Sequence, residues 1–137
     1  MSGPSRASRS SHPVRTALIA LGVDAALVLL FAGLGRGSHS REATVIGLLQ
    51  TAWPFLAGLA ITWISARISK RPLAWLNSGL PVWVGTVGIG LLLRWWTGGS
   101  TALPFVIVTV VTLGLFLVGW RGIVALVARL RAPSSPA

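Results

Sequence analysis

The feature that most constrains this chain is an apolar run over residues 15–35 that is interrupted once, by Asp24. A helix needs roughly twenty predominantly apolar residues to cross the hydrocarbon of a bilayer, and this run has that length. An ionisable group inside such a helix is expensive and as a rule has a partner or a task. Asp24 is also one of only two acidic residues among 137, so what it pairs with is the first question the sequence raises.

Three further apolar stretches follow, and together they predict an all-α protein. The expected fold is a four-helix transmembrane bundle with up-down-up-down topology and helices over about 15–34, 43–66, 80–96 and 102–126. Residues 35–42 form a Gly-rich polar stop, residues 67–79 carry Arg67, Lys70, Arg71 and a break at Pro72, and Thr97-Gly98-Gly99-Ser100 closes the third helix. Residues 1–14 read as a disordered basic tail, because Ser, Pro and Arg without apolar neighbours cannot build a buried face. Residues 129–137 read as a second basic tail rich in Pro and Ser, which leaves 15–128 as a single domain. The first residues also resemble the basic start of a secretory signal, with small residues at 32–35 for cleavage. The length of the run, its acid and three more apolar segments favour an uncleaved first helix.

A chain that is 53% hydrophobic and 10% charged is too apolar for an ordinary soluble surface. Its net charge of +10 would normally raise nucleic acid as a partner, but the bases sit at the ends of apolar runs, where they orient helices and meet lipid headgroups. The expected partner is therefore the lipid bilayer and not nucleic acid. Arg6, Arg9 and Arg15, then Arg67, Lys70 and Arg71, then Arg129 and Arg131 fall on one side of the four spans, against Arg36, Arg41 and Arg94 on the other. That bias predicts a multi-pass protein of the plasma membrane with both termini cytoplasmic. Tryptophan, which favours the membrane interfaces, agrees: Trp63, Trp75, Trp83 and Trp120 fall near the inner interface and Trp95 and Trp96 near the outer one. Trp53, near the middle of the second helix, is the exception.

Chemistry is sparse. With no cysteine, thiolate catalysis, disulfides and iron–sulfur clusters are excluded, and no Ser, His and acid combination converges, so neither an enzyme nor a cofactor is expected. Counted along the helices, Asp24 lies roughly 12 Å from the inner end and Arg121 roughly 8 to 10 Å, so the two share a layer. Trp53-Pro54 falls at a similar depth, and the proline frees the carbonyl of Gln50. Asp24, Gln50, Trp53, Pro54 and Arg121 are thus the candidate buried polar site, with Thr51, Thr86, Thr109 and Thr112 available for further hydrogen bonds. Arg36, His39 and Arg94, with Arg41, form a candidate outer anion-attracting patch. His39 and Glu42 are too few ligands for a stable zinc site, so no metal is expected. Gly85, Gly88 and Gly90 lack the strand that a phosphate-binding loop follows and read as a packing groove.

Several local signatures together resemble a bacterial family catalogued as domain of unknown function family 3054. They are the acid Asp24, Phe31-Ala32-Gly33 with Gly35-Arg36 and Ser38-His39, Thr51-Ala52-Trp53-Pro54-Phe55, Leu93-Arg94, Pro104-Phe105-Val106 and Gly119-Trp120-Arg121. The resemblance implies a small four-helix integral membrane protein with no assigned activity. Two functional expectations follow from the residues. The first is a structural or accessory membrane component, working as a homo-oligomer or within a membrane complex, in which the polar layer around Asp24 holds the helices. The alternative is a small oligomeric transporter or channel that uses Asp24 as a proton or cation coupling site.

Overall fold

In a computed structural model that describes residues 7–37, 45–99 and 101–132, the chain forms four helices: α1 (Ala7–Gly37), α2 (Val45–Ser65), α3 (Gly79–Trp96) and α4 (Leu103–Arg131). A short 3-10 turn, Ile68–Lys70, lies between α2 and α3. No strand occurs among the described residues, and the fold is all-α.

Two boundaries differ from the sequence reading. α1 begins at Ala7, so much of the stretch read as a disordered tail is helix. α4 runs on to Arg131, which places Arg129 and Arg131 in its last turn. There their cations oppose the negative end of the helix dipole, so both belong to the helix and not to a tail. The rest of both tails and the α1–α2 connection lie outside the described residues.

Three helices are long and apolar enough to cross a membrane, over Val14–Gly35, Val45–Ser65 and Leu103–Arg131. α3, with 18 residues, extends about 27 Å and is interrupted by Gly85, Gly88, Gly90 and Arg94. Large apolar side chains face outward on every helix, among them Leu18, Ile64, Leu92, Ile107 and Leu115. Water would penalise such a surface and lipid does not. The molecule has the make-up of a membrane protein.

Small residues and aromatics set the seams. Phe31 of α1 meets Phe55 of α2 edge-on, with ring centroids 5.5 Å apart. Between α2 and α3 the backbones nearly touch: a Cβ on Gly58 would meet Gly90 N and Thr86 O at 3.1 Å, one on Gly85 would overlap Thr62, and one on Gly90 would overlap the Phe55 ring. Between α3 and α4 the indole of Trp83 donates to Val110 O at 2.9 Å and lies over Gly114, while the Arg94 guanidinium sits 4.3 Å from the Phe105 ring centroid. Within each of these pairs the contacts run in opposite chain directions, as in Phe55 with Gly90 and Thr62 with Gly85.

Candidate functional site: a buried carboxylate held by four donors

α1 and α4 are joined by charge. Asp24 and Arg121 are both 0% exposed and in direct contact, with Arg121 Nη1 donating to Asp24 Oδ1 at 2.8 Å and Nη2 to Oδ2 at 2.7 Å. This is the fork-to-carboxylate geometry, in which two parallel bonds fix orientation as well as distance. Two indoles complete the arrangement: Trp63 Nε1 donates to Oδ2 at 2.9 Å and Trp120 Nε1 to Oδ1 at 2.8 Å. Each carboxylate oxygen therefore accepts two N–H bonds, and its acceptor capacity is filled.

Arg121 is held as firmly. Its Nε donates to the carbonyl of Pro72 at 2.7 Å, Nη1 also donates to Leu117 O at 3.0 Å, and the guanidinium stacks 4.7 Å from the Trp120 ring centroid. Gly79, the first residue of α3, leaves room for the stem, since a Cβ there would already touch Arg121 Cδ at 3.5 Å.

The connection between α2 and α3 is shaped to supply the Pro72 carbonyl. Arg67 turns the chain in the left-handed region at φ 53°, the 3-10 turn follows, and Ile68 is buried. Ser78 then ties the segment back by donating its hydroxyl to the carbonyl of Arg71, the residue before Pro72. Four elements thus meet on one ion pair: α1 through Asp24, α2 through Trp63, the connection through Pro72, and α4 through Trp120 and Arg121. Taking two charges out of water carries a penalty of several kcal/mol per ion, which pairing offsets only when the remaining hydrogen bonds are made, as they are here.

Of the residues singled out from the sequence, Asp24 and Arg121 are brought together, whereas Gln50, Trp53 and Pro54 are not. Gln50 is exposed, Trp53 is 43% exposed, and Pro54 is buried next to Phe55 in chain order, one level away from the ion pair. The helix alignment explains the difference. Phe31 is the α1 residue that packs on Phe55, and it lies seven residues, or about 10 Å, beyond Asp24. The α2 residue level with Asp24 is Trp63, so counting depth from separate helix ends merged two layers into one.

The threonines do not extend the network. Thr51, Thr62 and Thr109 each donate to a carbonyl four residues back on their own helix, and the Thr86 hydroxyl is buried without a partner among the described residues. Of the outer patch, Arg94 lies against Phe105, Arg36 falls in the last turn of α1, and His39, Arg41 and Glu42 lie outside the described residues.

Sequence reasoning missed Trp63, Trp120 and Pro72. The two tryptophans were assigned to a membrane interface, yet Trp63 is only 7% exposed and both aim their N–H inward. The available signal was stoichiometric: a buried carboxylate offers about four acceptor positions, an arginine fork fills two, and a buried indole N–H needs an acceptor.

A family model described as "Protein of unknown function (DUF3054)" matches residues 21–124, a span that includes Asp24, Trp63, Pro72, Trp120 and Arg121. Neither the comparison with curated proteins nor that with solved structures finds a match.

Proposed function

The chain belongs to this family of unknown function, DUF3054, and from that premise we propose that it is a structural or accessory component of the membrane in which the Asp24–Arg121 clasp fixes the register of four helices. The observation that supports this reading is the saturation of Asp24: a carboxylate with no exposure and four N–H donors is arranged to stay as it is. A coupling carboxylate needs the opposite arrangement, with water access on one side and then the other and a donor set that can be exchanged for a proton or a cation. The same saturation leaves Asp24 no free lone pair for acid–base work, which supports a role for this site without catalysis.

The proposed orientation puts both termini and the α2–α3 connection in the cytoplasm, with four passes through the plasma membrane. Arg67, Lys70, Arg71, Arg129 and Arg131 are exposed, which suits an inner surface. A component of this kind acts through its neighbours, which are the bilayer and either a second copy or a larger membrane complex.

The experiment is a proton-flux measurement in liposomes that compares the parent with the Asp24→Asn/Arg121→Gln double variant, in which both side chains remain hydrogen-bonding and uncharged. Both should match protein-free liposomes under an imposed pH gradient. Flux carried by the parent and lost in a double variant that retains its helix content would overturn the structural reading.

A further inference from the structure

A second feature lies on the outside of α4, just beyond the clasp. Trp75 of the α2–α3 connection and Gly122, Ala125, Leu126 and Arg129 of α4 line an open groove of about 550 Å³. Its walls are apolar or small, and a Cβ at Gly122 would meet nothing within 4 Å, so the floor is open. One end carries the Arg129 guanidinium and the other side the exposed indole of Trp75.

Charge decides what such a groove would hold. Among the described residues Asp24 is the one carboxylate, and Arg121 already occupies it, so Arg129 has no counter-ion among them. Arg67, Lys70 and Arg71 on the connection and Arg131 one turn-edge beyond are exposed bases at the same end. A free small anion would gain nothing from apolar walls, and a neutral lipid would gain nothing from the arginine. A tryptophan at the rim, an apolar channel and an unneutralised cation together match an amphiphile with an anionic head at the membrane–water boundary.

We propose that the groove between Trp75 and the Gly122–Arg129 face of α4 is a binding site for an anionic phospholipid, with the phosphate at Arg129 and an acyl chain along Gly122, Ala125 and Leu126. This site is independent of the clasp's role.

The test is native mass spectrometry of the full chain in detergent with phosphatidylglycerol or phosphatidylcholine added. The parent should retain one phosphatidylglycerol in preference to phosphatidylcholine. Arg129→Gln should weaken that retention about fivefold, the effect of removing one cation near a lipid surface. Gly122→Leu, whose Cβ meets nothing within 4 Å and whose side chain adds bulk to the groove, should release the lipid while circular dichroism stays unchanged. Equal retention of the two lipids, or indifference to both substitutions, would overturn the proposal. So would displacement of phosphatidylglycerol by inorganic phosphate, which would make the site one for a free anion, and so would a lipid-free dimer abolished by Gly122→Leu, which would make the groove a contact between copies.

Discussion

The α2–α3 seam and the α1–α4 seam solve one problem by opposite means. Lipid supplies no hydrophobic drive between helices, because an apolar side chain is as content against an acyl chain as against another helix. α2 and α3 answer by removing side chains: Gly58, Gly85 and Gly90 let backbone and ring atoms close to contact, and dispersion does the holding. α1 and α4 answer with polarity, through one ion pair carrying two indole donors and a loop carbonyl. In the packed seam the cost of a change depends on what the added atoms meet, from open space at Gly88 to overlap with Thr62 at Gly85. In the clasp, removing any one member leaves a charge or a donor stranded in hydrocarbon.

The sharpest break of that contrast is at Arg121. Arg121→Gln leaves Asp24 buried with two indoles and no cation and should lower stability by about 3–5 kcal/mol, read from equilibrium unfolding in mixed micelles. Asp24→Asn should cost a similar amount, because its one amide oxygen accepts from only one of the two indoles, its NH2 faces the other donors, and Arg121 loses its counter-ion. The Asp24→Asn/Arg121→Gln double variant should recover much of the combined loss, whereas Asp24→Leu/Arg121→Met, which strands the Trp63 and Trp120 N–H groups and the Pro72 carbonyl, should recover less. Strict additivity of the two single changes would show that the pair is not a coupled unit, and the two seams would then differ only in composition.

The two seams were also unequally legible. The glycines of α3 announce a packing groove because small residues in an apolar helix have few other uses, and the structure places Gly85 and Gly90 against α2. Asp24 and Arg121 are legible for the converse reason, as charges where charges are costly. What the sequence conceals is the register between helices. Depth counted from each helix's own end carries the error of that end, and α1 starts eight residues before the expected boundary. This is how Pro54 entered the polar layer and Trp63 stayed out of it. A tryptophan near a helix end also has two good physical homes, the headgroup region and a buried acceptor. Only the three-dimensional position of Asp24 chooses between them.

The packed seam can be tested with paired glycines. Gly58→Ala should cost about 1–3 kcal/mol, because its new methyl would press on backbone atoms of Gly90 and Thr86 that have no rotamer to change. Gly88→Ala, on the facing helix α3, has nothing within 4 Å of its Cβ and should be neutral or stabilising by about 0.5–1 kcal/mol through reduced backbone freedom in the unfolded chain. If the two substitutions had equal effects in the same micelle unfolding assay, the seam would owe nothing to close approach.

The smallest expected effect falls at Trp53, which belongs to neither means of holding the bundle. It was grouped with Asp24 because both lie in the middle of a helix, but its ring is 43% exposed and its N–H has no partner among the described residues. In hydrocarbon such an indole gains area and loses a hydrogen bond, so a leucine serves as well. Trp53→Leu should therefore change stability by less than about 0.5 kcal/mol, whereas Trp63→Phe, which removes one donor from a buried charge, should cost about 1.5–3 kcal/mol. A Trp53→Leu loss as large as that of Trp63→Phe would mean that the exposed face of α2 is covered by a specific neighbour in the membrane. The polar clasp would then share its task with a contact outside the single chain.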